Sequence, residues 1–189
     1  MNTPSSRILV GMIGRVFWMR VEGKGTFQNS MQAKSAFQGI MARGVRSLVV
    51  DLDRCPMMDS TFLGMLTGAA LSVKTATPPP SGTEGLSVVN ANQRNVQLLT
   101  SLGLDNILNL DTDGKMWAAE RERASAALQQ CDEAPCTKEV QTMHILDSHK
   151  TLSGINAENE IRFHDVIEFL EKELQAQISP AEASAPVSA

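Results

Sequence analysis

The apolar positions of this chain change period along its length. In 7–13 (RILVGMI) and 15–23 (RVFWMRVEG) they are dense, and in the second run Phe17, Met19 and Val21 alternate with Val16, Trp18 and Arg20. A period of two sends successive side chains to opposite faces of a sheet, so the two runs predict adjacent strands or a hairpin about Gly14. KGTFQNS at 24–30 reads as a polar loop, with Asn29 or Ser30 available as a helix cap. Met31, Ala33, Phe37, Ile40 and Met41 then fall at roughly helical spacing, which predicts a helix over 31–44 closed by Gly44. RSLVVDLD at 46–53 is a short continuous apolar run, the mark of a strand buried on both faces. Over 59–77, Phe62, Leu63, Leu66, Ala70 and Val73 make one apolar helical stripe.

TPPPSGTEG at 77–85 cannot continue a helix and predicts a loop. LSVVNA at 86–91 reads as another buried strand. Asn92 caps a helix over 93–103, with Val96, Leu99 and Leu102 on one face. NILNL at 106–110 is a short strand, and 114–130 forms a helix by propensity. The order β-β-α-β-α-β-α-β-α predicts an α/β domain: a mainly parallel, mixed sheet of about five strands with about four helices.

From 131 onward the pattern shifts. CDEAPC at 131–136 predicts a linker, and 137–155 and 156–175 predict a pair of helices broken at Ser153-Gly154. Ile161, Phe163, Val166, Ile167, Phe169 and Leu170 form an apolar band on the second of these. Such a band must be covered by the domain itself, by a second copy of the chain in a homodimer, or by another protein. The tail 179–189 is small, polar and Pro-bearing, which predicts disorder. The expected organisation is a domain over 1–130, a helical extension over 131–178 and the tail; no internal repeat is found.

Composition narrows the class. The 189 residues are 42% hydrophobic and 20% charged, ordinary for a soluble globular protein. A formal net charge of -4 argues against a nucleic-acid partner, which would call for a concentrated basic surface. No apolar run approaches the ~20 residues of a membrane span. The N-terminal stretch lacks a signal-peptide layout, so a cytoplasmic location is expected. Three cysteines, Cys55, Cys131 and Cys136, do not suggest a disulfide framework, and the ten methionines read as core gap-fillers.

One stretch carries candidate chemistry: MMDSTFLGML at 57–66, where Asp59, Ser60 and Thr61 stand between a strand and an apolar helix. These residues could cap the helix, since side-chain oxygens satisfy its free N–H groups. Ser60 could be a nucleophile, but the surroundings are not G-x-S-x-G, and His144, His149 and His164 all lie in the C-terminal helices. Third, Ser60 could be phosphorylated, because a helix N-terminus tolerates an anion and the fold would survive the added charge. Elsewhere, EGKGT at 22–26 lacks the leading glycine and following hydroxyl of a phosphate loop. Cys131, Cys136, His144 and His149 have spacing that suits zinc poorly, so no metal or cofactor is expected.

LVVDLDRCPMMDSTFLGML resembles the central signature of the STAS domain, whose members include bacterial anti-sigma factor antagonists. The family pattern is a buried strand ending in an acidic turn, a short loop, then Asp-Ser-Ser/Thr-Gly-Leu-Gly opening a helix. Asp59, Ser60, Thr61, Leu63 and Gly64 match it, and Phe62 replaces the first glycine. The element order over 7–130 agrees with the family's. The resemblance implies a non-enzymatic partner switch with Ser60 as the phosphorylated residue and Thr61 as second candidate. The unmodified protein would bind an anti-sigma factor with serine kinase activity, phosphorylation would release it, and a protein phosphatase would restore binding. The implied partner-binding residues are Asp59, Ser60, Thr61 and Phe62, with Glu22, Gly23 and Lys24 from the loop after the second strand. Two rival expectations are a non-switching STAS scaffold subunit of a stress-signalling or lipid-transport complex, and a small enzyme.

Overall fold

The computed structural model describes residues 6–76, 84–132 and 135–178. Strands β1 (Arg7–Ile13) and β2 (Val16–Glu22) form the expected hairpin, with Gly14 in the left-handed region at φ 64° between them. Then follow α1 (Phe27–Ala42), β3 (Ser47–Asp51), α2 (Ser60–Lys74), β4 (Gly85–Val89), α3 (Gln93–Ser101), β5 (Asn109–Leu110), α4 (Ala118–Ala127) and β6 (Gln129–Gln130). The helices α5 (Lys138–Ser153) and α6 (Ala157–Ile178) close the described chain. The sheet order is β5-β4-β3-β2-β1-β6. Strands β2, β3, β4 and β5 run parallel to one another, while β1 is antiparallel to both β2 and β6. The mixed α/β sheet predicted by the strand-helix alternation is therefore present, with one strand more than expected.

The alternation in β2 sorts its side chains between two layers. Phe17, Met19 and Val21 face the main core with Leu48 and Val50 of β3, Phe37 and Ile40 of α1, Phe62 and Leu66 of α2 and Leu99 of α3. Val16 and Trp18 face the smaller core with Val49, Val89 and Ala124 of α4. The hairpin of α5 and α6 stacks on the outer side of α2 as a further layer, contributing Leu152 and Phe163 to the main core.

Three boundaries depart from expectation. Helix α1 begins at Phe27, not Met31: Asn29 reaches back from inside the helix to accept the Thr26 N–H at 2.9 Å, so Thr26 is the cap and Ser30 lies within the first turns. The predicted helix at 114–130 starts only at Ala118, because Trp117 adopts a left-handed φ of 58°. It also ends early, and Gln129–Gln130 pair with Leu9 and Val10 at the sheet edge. Of the predicted strand at 106–110, only Asn109–Leu110 pair; Leu104–Asn106 form a 3-10 turn. The helical pair breaks at Ser153-Gly154 as expected. Most of the Pro-rich loop, part of the linker at 131–136 and the tail 179–189 lie outside the described residues. No helix among the described residues is long and apolar enough to cross a membrane.

Candidate functional site

The carboxyl end of β3 is fixed by polar contacts. Asp51, fully buried, accepts from Arg20 Nε at 2.9 Å, Asn90 Nδ2 at 2.8 Å, the Asp53 N–H and Trp18 Nε1. Every lone-pair direction has a donor, so the acidic turn is structural. Asn92 and Asn95 both donate from their amides to the Cys55 carbonyl, pinning the turn that leads to α2. Burial pushes the Cys55 thiol up in pKa, which keeps it protonated and inert.

From that turn the chain runs beside the loop after β2. Gly25 N–H donates to Met57 O at 3.1 Å and Asp59 N–H donates to Gly25 O at 2.9 Å, a short parallel bridge. The Asp59 carboxylate then serves two helices. Its Oδ1 accepts the Phe62 N–H of α2 at 2.9 Å, and its Oδ2 accepts the Phe27 N–H of α1 at 2.8 Å. One acid therefore caps both helices and sets their N-terminal ends side by side. The capping role read for this stretch belongs to Asp59, which leaves the Ser60 hydroxyl uncommitted to the cap.

Ser60 is the first residue of α2 and half-buried. Its hydroxyl lies 2.9 Å from His149 Nε2 of α5, across 89 positions of sequence. His149 Nδ1 lies 2.8 Å from Ile145 O, a carbonyl that can only accept. A proton on Nδ1 satisfies that carbonyl, and in the neutral ring Nε2 then accepts from the Ser60 hydroxyl. A second serine-histidine pair stands beside it: Ser30 Oγ of α1 lies 2.8 Å from His144 Nε2 of α5. Ser30 already donates to Phe27 O, so here the imidazole donates. His144 Nδ1 is left buried without a partner. Desolvation, and secondarily the charge of Lys34, lower the His144 pKa to about 4 against a smaller upward pull from Asp147, so the ring is neutral at pH 7.

The remaining expected site residues divide into two groups. Gly23 and the exposed Lys24 lie in the loop that Gly25 ties to Met58, so they stand near the start of α2. Glu22 is not available at a surface: it is buried between Arg7 at 2.6 Å and Arg54 at 2.8 Å. Thr61 and Phe62 also point inward, and Phe62 is 0% exposed. The substitution of phenylalanine for glycine is accommodated beneath Gly25, where a Cβ would come 2.9 Å from the ring. Phe62 thus enlarges the core. The four residues weighed as a zinc set do not act together: His144 and His149 engage different serines, and Cys136 is exposed.

No family model matches the sequence, and no curated protein does. Solved structures do. The chain is similar to an anti-sigma factor antagonist from Mycobacterium paratuberculosis, with 18% identity and a TM-score of 0.51 over 66% of this chain and 99% of that one. It is also similar to a candidate anti-sigma factor antagonist from Thermotoga maritima, with 18% identity and a TM-score of 0.50 over 59% of this chain and 92% of that one. The fold is thereby the STAS type that the signature implies. The likeness takes in nearly all of each of those proteins and leaves a substantial part of this chain over.

Proposed function

We propose that this chain is a partner-switching regulator of the anti-sigma-factor-antagonist type, with Ser60 as its phosphorylation site. The observation that carries this reading is the position of Ser60. It opens the signature helix of a STAS fold, and the neighbouring Asp59 takes over the capping of both α1 and α2. The serine is then free of any capping duty, on a face built from two helix N-termini and the Gly23–Lys24 loop, and its hydroxyl meets His149 of α5. A phosphate there adds about -1.5 to -2 charge without removing a cap. It leaves the domain folded and changes only what the face can bind, since a dianion in an interface must be desolvated and repels acidic neighbours. The partner is an anti-sigma factor carrying serine kinase activity, and a phosphatase resets the switch.

The enzyme reading gains one observation, the Ser60–His149 pair with Ile145 O orienting the imidazole. It gains no substrate site from the nearby cavity, about 160 Å³, which is lined by Lys34, Gly64, Gly68 and His144 and not by Ser60.

The test is intact-mass and peptide mass spectrometry on protein from its native cells, joined to a pull-down with Ser60→Ala and Ser60→Asp chains. Phosphate on Ser60, with a partner kept by the alanine form and lost by the aspartate form, is the expected result. An unmodified Ser60 with identical partners for both forms would overturn it and favour a non-switching scaffold.

A further inference from the structure

We infer that the α5–α6 hairpin is an internal competitor for the partner: it occupies the face around Ser60 in cis, and the chain must open before that face is phosphorylated or bound. The inference rests on the reading of Ser60 given above. The hairpin is seated on that face through both serines. His149 accepts a hydrogen bond from the Ser60 hydroxyl, and His144 donates one to Ser30 in the first turns of α1. His149 is 6% exposed and its ring is backed by Phe163 of α6, edge-on at 5.6 Å. Between the two pairs, α5 touches α2 backbone to backbone: a Cβ on Gly64 would stand 2.2 Å from Ser148 O. The signature glycine that matches the STAS pattern is therefore what lets a helix lie down here. With Ser60 Oγ 2.9 Å from His149 Nε2, a phosphate carried on that oxygen cannot keep this contact.

The contact has the make-up of one that opens. The stripe that α5 turns toward the cavity between α1 and α2 is His144, Asp147, Ser148 and Thr151, at helical spacing and polar, while Leu152 and Phe163 seat the far end of the hairpin in the main core. Water can replace the hydrogen bonds of that stripe, so the Ser60 end of the seam costs least to part. The packing is incomplete as well. The cavity of about 160 Å³ lies in the seam, and the orphaned His144 Nδ1 is a buried acceptor that regains a partner on opening. The hairpin is held otherwise by Asn156 and Asn159, whose amides both donate to the Leu102 carbonyl, and by Leu152 and Phe163 in the main core. Tethered so near, the hairpin competes at an effective concentration on the order of millimolar. The seam also states the partner's chemistry. It is a helix with a small residue opposite Gly64 and a hydrogen-bond acceptor opposite Ser60.

The test uses the full chain. Ser60→Cys places a thiol under the cover, and iodoacetamide alkylation at that position is followed by peptide mass spectrometry. The wedge is Gly64→Ala, which suits α2 itself but meets the α5 backbone; His149→Ala is the second release variant. Alkylation of the introduced thiol is expected to be slow in the Ser60→Cys chain and about tenfold or more faster when either change is added, while amides of β1–β4 keep their protection from hydrogen exchange and those of α5 and α6 lose it. Rapid alkylation of Ser60→Cys alone, or a rate that neither change moves, would overturn the cover. If Gly64→Ala deprotects the sheet too, His149→Ala decides. No partner enters this readout, so a Ser60 without a switching role leaves it intact, and a Ser60 that proves uncovered leaves the pull-down intact.

Discussion

The seam between the sheet and its helices and the seam between α5 and α2 are built in opposite ways. The first is apolar throughout: Ile8, Met19, Val21, Leu48 and Val50 meet Phe37, Phe62, Leu66 and Leu99, all buried. The second joins Ser60 to His149 beside a like pair from α1, Ser30 and His144, passes a carbonyl over a glycine, encloses a cavity, and turns apolar only toward Leu152. Burial of large apolar side chains is worth roughly 1.5–3 kcal/mol each and has no equivalent in water. A neutral hydrogen bond returns only about 0.5–1.5 kcal/mol net, because water offers nearly the same bond. One seam therefore holds the fold more strongly per contact than the polar part of the other.

Breaking the apolar seam gives the largest effect. Phe62→Ala is expected to cost about 3–5 kcal/mol, since a fully buried ring leaves a cavity that the rigid sheet cannot collapse. Urea unfolding should show the whole domain melting earlier, with sheet and helices together. A loss below about 1 kcal/mol would mean that Phe62 faces solvent after all.

The polar seam has its own signature in pH. His144 has a folded pKa of about 4, below the ordinary 6.5, so the folded state disfavours its proton. The stability this confers is complete above pH 6.5 and is lost as pH falls toward 4, with an upper limit of about 3 kcal/mol. The groups facing the ring are Lys34 on α1, which adds to the effect, and Asp147 on α5, which opposes it. Between pH 6.5 and 5 the amides of α5 should lose hydrogen-exchange protection before those of the sheet, and His144→Gln should flatten that trend. Simultaneous loss in both regions would make the two seams one cooperative unit.

Asp59 links the seams, because it caps α1 and α2 at once. Asp59→Ala should cost about 2 kcal/mol, two ordinary caps in one residue. Asp59→Asn should recover about half, since an amide has a single accepting oxygen for two N–H donors. Thermal melts of the three chains measure this; equal losses for both variants would show that only one cap matters.

The two seams also differ in how far the sequence reveals them. Alternation over 16–21 is legible because each face of β2 meets a different apolar layer, and the buried runs at 47–51 and 85–89 are legible because helices cover both sides. Asp59 and Ser60 are legible by motif. The Ser60–His149 contact is not: it spans 89 positions, and the stripe of His144, Ser148 and Thr151 has the look of a solvated helix face. Only the fact that the stripe shares a helix with Leu146 and Leu152 hints at burial. Phe62 is legible as a member of the apolar stripe, but its exact seat is not. Its neighbour in space is Gly25, and the vacancy that receives the ring arises where two loops meet. Strand β6 escapes because two glutamines favour a helix by propensity, while the open edge of β1 pairs with them.

The smallest effect belongs to the outer face of α6, where the apolar band divides. Phe163 and Leu170 turn inward, whereas Ile161 is 80% and Phe169 63% exposed. Inward members hold the hairpin together; outward ones bury little within the described chain that they would lose. Phe169→Ser combined with Ile161→Ser is therefore expected to shift unfolding by no more than about 0.5 kcal/mol and to leave alkylation of the Ser60→Cys thiol at its unaccelerated rate. Analytical ultracentrifugation of the same double variant asks whether these residues meet a second copy. A fall in sedimentation coefficient relative to the parent would give the outer face a homodimer contact. In that case the hairpin would carry two interfaces back to back, a polar one that parts from α2 and an apolar one that stays closed.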